Sequence, residues 1–249
     1  MMRIIPRLDI KGSNLIKGIH LEGLRVVGDP HDFALQYYQQ GADELVFMDV
    51  VASLYGRNNL SAIIARAADQ IYIPITAGGG VRNLEDVRIM LRSGADKVAV
   101  NTAAIKRPDL ITEIAKRYGA QCFVLSIEAK RRGPGQWEAY TDNGRERTGR
   151  GVVAWAQEAV ARGAGEILLT SIDQEGTRKG YDLELLRAVC EAVNVPVICS
   201  GGFSDPAQLA AMDACGCTGA SIADALHWKR TTIADIKQSA TKLGVEVRH

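Results

Sequence analysis

The stretch "PITAGGGVRNLEDV" (residues 74–87) returns later in the chain in a related form, "PVICSGGFSDPAQL" (residues 196–209). In each stretch a proline and a short apolar run lead into consecutive glycines, and Gly79 corresponds to Gly201 at an offset of 122 residues. An offset close to half of the 249-residue chain indicates that the protein consists of two similar halves.

Three further pairs of segments follow the same order in both halves. The segment "DELVFMDV", which begins at Asp43, resembles "GEILLTSI", and "VAVNTAAI" resembles "ASIADALH". Near the start of each half, "IIPRLDIK" corresponds to "FVLSIEAK", which pairs Asp9 with Glu128. The repeat therefore extends through both halves of the chain.

Short apolar runs rich in β-branched residues alternate with longer segments of helical period. The segments predicted as helices, several of which open on Asn or Asp and close on Gly as capped helices do, include residues 29–41, 83–94, 107–119, 152–165 and 182–193. The runs predicted as strands are Arg3–Asp9, Glu44–Asp49, Ile71–Thr76, Lys97–Asn101, Cys122–Glu128, Glu166–Ser171, Pro196–Ser200 and Thr218–Ile222.

Alternating strands and helices predict parallel βα units, and eight such units form a (β/α)8 TIM barrel of the α/β class. We expect a single domain over residues 1–249, made of half-barrels of about 1–120 and 121–249. One insertion after the fifth strand, "GQWEAYTDNGRERTG", alternates around an Asp-Asn-Gly turn and is predicted to form a β-hairpin.

The charge balance, cysteine content and histidine spacing of the sequence indicate which classes of partner and cofactor to expect. The 30 basic and 29 acidic side chains nearly cancel, so bulk charge favours neither a nucleic acid nor a membrane. No segment has signal-peptide anatomy or membrane-spanning length, and the five cysteines form no CxxC pair, which favours a cytoplasmic protein with reduced thiols. No histidine has a partner at metal-ligand spacing, so we expect neither a metal nor a cofactor.

Active sites of this fold form at the carboxyl ends of the barrel strands. Asp9 and Glu128 end the first strand of each half, so we expect them to face one another across the mouth of the barrel. Two carboxyl groups can divide acid and base roles when their surroundings separate their pKa values. The alternative is that each carboxylate pairs with a neighbouring Lys or Arg at the rim.

Two sets of glycines predict two phosphate sites. Residues 78–80 ("GGG") and 200–202 ("SGG") each follow a strand, and one strand later each half has a strand-to-helix junction, "NTA" or "IADA". Backbone N–H groups at glycines and at a helix start bind phosphate without a positive side chain. The repeated arrangement therefore favours an elongated substrate with two phosphates.

The Gly-rich segment of residues 11–30 carries Lys17 and Arg25. We predict a long loop that acts as a mobile lid and brings a cation to the substrate. The alternative is an exposed loop with ordinary basic residues.

Across essentially the whole chain, the sequence resembles the cyclase subunits of imidazole glycerol phosphate synthase. The motifs that carry the resemblance are "LDIK", "LIKG", "GDP", "DELVFMDVVAS", "GGGVRN", "GADKVAVNTAAI", "RGAGEILLTSID", "GTRKGYD", "SGG" and "GVEVR". The resemblance implies an enzyme that receives ammonia from a glutaminase partner through the barrel. It would use this ammonia to cleave and cyclise a bis-phosphorylated ribonucleotide into imidazole glycerol phosphate, for histidine synthesis, and an aminoimidazole carboxamide ribotide.

The resemblance also implies roles for individual residues. Asp9 matches the family's first catalytic aspartate, Glu128 stands at the second acid, and Lys17 matches the loop lysine. The glutaminase is expected to dock at the barrel bottom around Asp96, where the ring that gates ammonia consists of Arg3, Glu44, Lys97 and Glu166. The set expected to bind phosphate and substrate is Asp49, Gly79, Gly80, Asn101, Thr102, Thr170, Glu175, Gly176, Ser200, Gly201, Gly202, Ala223 and Asp224.

Four ligand-facing positions depart from the family pattern. Glu128 and Glu175 each stand where the family has aspartate, Asp224 replaces a small serine beside the second phosphate site, and Arg7 replaces a small residue on the first strand. A carboxylate about 5 Å from a phosphate would repel it by about 3 kcal/mol per unit charge at a dielectric near 20. These departures favour a changed substrate, whereas the gate ring is intact.

Three alternatives to the cyclase therefore stay open. The first is a paralogue that passes ammonia to another acceptor, such as a sugar amidinated for surface polysaccharide. The second is the phosphoribosyl isomerase of histidine synthesis, which also uses two acids and two phosphate sites but conducts no ammonia. The third is a non-catalytic partner that only conducts ammonia. The ring and "GADKVAVNTAAI" favour the synthase over the isomerase.

Overall fold

The computed structural model describes residues 1–52 and 60–248. Ser53, the last residue of the motif "DELVFMDVVAS", lies outside them. In chain order, the elements are β1 (Arg3–Lys11), β2 (Asn14–Ile19), β3 (Glu22–Gly28), α1 (Pro30–Gln39), β4 (Leu45–Asp49), α2 (Leu60–Ala68), β5 (Ile75–Gly78), α3 (Leu84–Arg92), β6 (Lys97–Val100), α4 (Thr102–Lys106), α5 (Asp109–Tyr118), a 3-10 turn (Ala120–Cys122), β7 (Phe123–Gly133), β8 (Gln136–Thr141), β9 (Glu146–Gly151), α6 (Val152–Ala161), β10 (Glu166–Ser171), α7 (Leu183–Ala192), β11 (Val197–Ser200), α8 (Gln208–Ala214), β12 (Gly219–Ile222), α9 (Asp224–His227) and α10 (Ile233–Lys242).

Eight of the described strands pair in parallel in the order β10, β11, β12, β1, β4, β5, β6 and β7. The register of β7 against β10, in which Glu128 pairs with Thr170, closes the sheet into a barrel. Helices lie between the strands, because a parallel connection must cross from one end of the sheet to the other. The predicted (β/α)8 barrel is confirmed.

Side chains alternate between the two faces of each barrel strand. Outward residues such as Ile4 and Leu8 join the main hydrophobic core, which includes helix residues such as Ile111 and Leu186. The inward layer at mid-height consists of Ile5, Val46, Met48, Ala99, Val124, Leu168 and Ile198. This apolar layer separates a polar barrel bottom from a polar mouth.

The third barrel strand differs from its prediction. It begins at Ile75, whereas the prediction began at Ile71. The turn that follows α2 explains the difference, because the Ile71 N–H donates back to the carbonyl of Ala67 at 3.0 Å. Tyr72 is exposed, and Pro74 has no N–H for a strand ladder. The other seven predicted strands overlap barrel strands.

The predicted hairpin after the fifth strand is present as β8 and β9, and Glu128 of β7 pairs with Tyr140 of β8. The segment that follows β1, predicted as a long loop, is also a hairpin, made of β2 and β3. Two register shifts in this hairpin break the alternation of side chains, which explains why the sequence pattern concealed its strands. Each half therefore carries a hairpin after its first strand.

Candidate active site

The two candidate acids lie at the carboxyl ends of β1 and β7. These strands are separated by three others in either direction around the barrel, so Asp9 and Glu128 come from opposite walls of the mouth. Both side chains are buried. Glu128 Oε2 accepts the N–H of Gly144, at 2.7 Å, in the turn between β8 and β9. Sequence reasoning missed this contact, although the "TDNG" turn was recognisable.

A buried guanidinium lies beside the first acid. Arg7 Nε donates to Asp9 Oδ1 at 2.8 Å, and Arg7 Nη1 donates to Thr170 Oγ1 at 2.9 Å and to Ser200 Oγ at 3.4 Å. The side chain therefore reaches from β1 to β10 and β11 across the interior. From sequence alone, Arg7 was only a departure from the family pattern.

The surroundings of Glu128 shift its protonation towards neutral pH. The pKa of Glu128 is raised to about 7, chiefly by burial; the charges of Asp9 and Asp142 act in the same direction, whereas Arg7 and the Gly144 N–H act against it. A carboxyl group with this pKa can give and take a proton at neutral pH. Burial lowers the pKa of Arg7, but the negative charges of Asp9, Glu175 and Glu128 outweigh this effect and raise the pKa above its usual value.

Lys17 lies on β2 and forms a buried ion pair with Glu175, in the segment between β10 and α7. In the same segment, the carbonyl oxygen of Glu175 accepts a hydrogen bond from the backbone N–H of His20 at 2.8 Å. At Gly176 a Cβ atom would come within 2.6 Å of the Gly18 carbonyl oxygen, so only glycine allows this approach. The first hairpin is thus bound to the second half of the barrel.

The first predicted phosphate site borders a cavity of about 380 Å³. Gly79 has φ +90°, and a Cβ there would lie 2.1 Å from the carbonyl oxygen of Asp49, which explains the need for glycine. Asn101 Nδ2 donates to the Tyr140 carbonyl at 3.0 Å, whereas its buried Oδ1 has no hydrogen-bond partner. The lining residues that were predicted from sequence are Asp49, Gly79, Gly80, Asn101, Thr102 and Glu128.

The second predicted phosphate site borders a much smaller cavity, of about 20 Å³, lined by Glu175, Gly176, Ser200, Gly201, Gly202, Ala223 and Asp224. Asp224 forms an ion pair with Arg230, and Arg178 Nε lies 4.0 Å from the same carboxylate oxygen. The expected repulsion of an anion by Asp224 is therefore compensated by neighbouring cations. Sequence reasoning missed both arginines, whose only signal was their position in loops.

Four charged side chains form a closed ring at the opposite end of the barrel. Arg3 contacts Glu44 at 2.6 Å and Glu166 at 2.7 Å. Lys97 contacts the same two carboxylates at 3.1 Å and 2.7 Å. Each cation thus pairs with both anions, and the exposed Asp96 lies next to Lys97 in the chain. All four predicted ring residues meet.

No cluster of three or more His, Cys, Asp or Glu side chains within residues 1–52 and 60–248 is arranged to hold a metal ion. In the same ranges, no helix combines the length and hydropathy needed to cross a membrane.

Comparisons with known proteins identify the family of the chain. The family model for "Histidine biosynthesis protein" matches residues 3–232. The HisF subunit of imidazole glycerol phosphate synthase from Legionella pneumophila is 65% identical over 202 residues, which cover 81% of this chain and 95% of the relative. The HisF subunit from Myxococcus xanthus is 50% identical over 247 residues, covering 99% and 97%, and that from Gluconacetobacter diazotrophicus is 45% identical over 248 residues, covering 100% and 96%. The chain belongs to the histidine biosynthesis protein family and, within it, to the HisF subunits of imidazole glycerol phosphate synthase.

Proposed function

We propose that the chain uses glutamine-derived ammonia to cleave and cyclise a bis-phosphorylated ribonucleotide, giving imidazole glycerol phosphate and aminoimidazole carboxamide ribotide. The observation that carries this proposal is the axial order of the barrel. A charged ring closes one end, an apolar layer fills the middle, and two acids on opposite walls lie at the mouth. Ammonia entering at the ring would emerge between the acids.

At the mouth, the two acids have different surroundings and hence different roles. Glu128, with a pKa of about 7, exchanges protons with the attacking ammonia and with the leaving nitrogen. Asp9, paired with Arg7, stabilises the positive charge that develops when ammonia adds to a carbonyl carbon. The phosphate sites at Gly79 and Gly80 and at Gly201 and Gly202, the first and second cradles, hold the two phosphates, and the Lys17–Glu175 ion pair lies beside the second cradle.

At the bottom, the ring keeps bulk water out while its charges compensate one another, so no buried charge is left unpaired. Because the relatives are named as subunits of a synthase, we propose that a glutaminase subunit docks here, around the exposed Asp96. Such a complex is expected to work in the cytoplasm, where free cysteines stay reduced.

The test is turnover of the bis-phosphorylated ribonucleotide by the purified chain, with a glutaminase subunit and glutamine or with ammonium salt alone. We expect both nitrogen sources to support the reaction. Asp9→Asn should reduce kcat with both sources by about 100-fold or more, because one acid–base or electrostatic group typically contributes that much. Absence of turnover with ammonium salt would contradict the proposed reaction.

A second candidate keeps the ammonia path but changes the acceptor. The cavities of the two phosphate cradles share no lining residue. The buried Arg7 side chain and the Lys17–Glu175 ion pair lie at the mouth between these cavities, and they favour this second candidate. An elongated substrate would have to displace them. Rescue of a histidine auxotroph that lacks its own cyclase subunit separates the candidates: growth without histidine favours the cyclase, and failure of a well-expressed chain favours another acceptor.

A further inference from the structure

We propose that Arg7 is a positioning residue, which anchors the Asp9 carboxylate in a buried ion pair and leaves Glu128 as the acid that gains and loses the proton. This inference rests on the acid–base roles proposed above. It concerns a residue that the family pattern leaves without a role, since a small side chain is expected there.

The position of Arg7 on β1 makes the pairing possible. Arg7 and Asp9 are two residues apart on one strand, so both side chains point into the barrel. Arg7 Nε lies 2.8 Å from Asp9 Oδ1. On the far side, Thr170 and Ser200 accept from Nη1 and prevent the guanidinium from turning away. Arg7 is only 2% exposed, so solvent screens this ion pair weakly.

The two acids differ in their hydrogen-bond partners. Asp9 receives a charge-assisted hydrogen bond from Arg7, whereas Glu128 has no hydrogen bond or ion pair to a cationic side chain within the described residues and accepts from the Gly144 N–H. A cation in contact with one carboxylate favours its charged form most strongly, since the interaction weakens with distance. Arg7 therefore acts most directly on Asp9, and the raised pKa of Glu128 marks it as the carboxyl group that exchanges the proton.

Other charged groups near the mouth do not cancel this asymmetry. Asp142 faces Glu128 from the turn between β8 and β9 and favours its protonated form. The Lys17 charge is taken up by Glu175. His227, on α9, is buried against Tyr37, and burial lowers the pKa of His227 to about 4, so it is neutral at physiological pH.

The test follows the carboxyl carbons of labelled glutamate by NMR as the pH is varied, without substrate. In the unaltered chain, we expect the Glu128 signal to titrate with a midpoint near 7. A Glu128 signal that stays ionised throughout would overturn the proposal without any variant.

Arg7→Met then removes the guanidinium and keeps much of its volume. We expect the Glu128 midpoint to rise by about one pH unit or more, because the charge of Arg7 then no longer favours the ionised form of Glu128. Lys17→Met is the matched control, because it breaks the neighbouring buried ion pair and should leave the Glu128 signal in place. Equal changes in the two variants would reduce Arg7 to a structural role and overturn the proposal.

The pH dependence of kcat/KM gives a second reading. In the pH–rate profile, the inflection near pH 7 is assigned to Glu128. Arg7→Lys, which keeps a positive charge at this position, should retain this inflection, and Arg7→Met should move it to higher pH. An unmoved inflection in Arg7→Met would contradict the proposal. Since the NMR titration needs no substrate, a chain that fails the turnover test above can still support or overturn the role of Arg7.

Discussion

Lys97 Nζ lies 2.7 Å from Glu166 Oε2, which joins β6 to β10 across the intervening β7. The same ammonium group lies 3.1 Å from Glu44, and Arg3 contacts both carboxylates from the other side. These contacts make the bottom of the barrel a polar constriction below an apolar interior, which suits a small neutral molecule such as ammonia.

Lys97→Met should uncouple the chain from a glutaminase. Two carboxylates would then share Arg3 alone, and the excess negative charge would open the constriction to water. We expect glutamine-dependent turnover to fall at least about tenfold, while turnover with ammonium salt, which can enter at the mouth, stays within about twofold.

Lys237→Met is the control for this prediction. It breaks another buried ion pair, Lys237 with Asp43 at 2.8 Å, which is not part of the ring. This variant should lose stability and keep the ratio of the two activities. An equal loss of both activities in Lys97→Met would contradict a gating role for the ring.

Glu128→Asp should slow the reaction. The shorter side chain withdraws the carboxylate by about one ångström and loses the Gly144 N–H, which now holds it at 2.7 Å. We expect kcat/KM to fall by about 10- to 100-fold. Glu128→Gln, which can keep this hydrogen bond but exchanges no proton, should fall further. An aspartate variant faster than the unaltered chain would show that glutamate is only a tolerated substitution.

The stability of the chain should depend on pH through Glu128. Burial raises the pKa of this group from 4.5 to about 7, so the folded chain binds the proton more tightly than the unfolded chain. Its contribution to stability is therefore complete below about pH 4.5 and is lost as the pH rises to about 7, by about 3 kcal/mol. Urea denaturation at pH 5 and pH 8 measures this loss, and Glu128→Gln, which has no titrating group, should lack it. The same pH dependence in both proteins would refute the prediction.

Anion binding should differ between the two cradles. Sulfate should occupy the site at Gly79 and Gly80 readily, because its cavity is open, and should occupy the smaller second site less fully. Arg230→Gln should weaken the second site alone, since it leaves Asp224 compensated only by Arg178 at 4.0 Å, and a fully uncompensated carboxylate about 5 Å from the anion would cost about 3 kcal/mol at a dielectric near 20. Asp224→Ser should have the opposite effect.

Occupancies in crystals soaked in sulfate measure this difference, and the first site serves as the internal control. Equal occupancy of both sites in the unaltered chain would contradict the predicted difference between the two cradles. Full occupancy of the second site in Arg230→Gln would show that Asp224 does not act on the anion.

The barrel could be predicted from sequence because its signals are local and repeated. Apolar runs of strand length, helix caps such as Asn83, and an offset of 122 residues between similar motifs each depend on neighbouring residues or on the repeat. The position of Asp9 opposite Glu128 followed from the same repeat, because corresponding strands of two half-barrels lie on opposite walls. Local signals failed where register shifts concealed a hairpin, in residues 14–28.

The sequence by itself therefore determined the barrel and the types of residue at the mouth and the ring, and it predicted the two cradles. Only the tertiary structure decided which charges meet. Arg7 lies 163 residues from Thr170 and 193 residues from Ser200 along the chain, and Asp224 is compensated by arginines in two separate loops. Electrostatic interactions depend on distance in space and on burial, and neither quantity can be read from the order of residues.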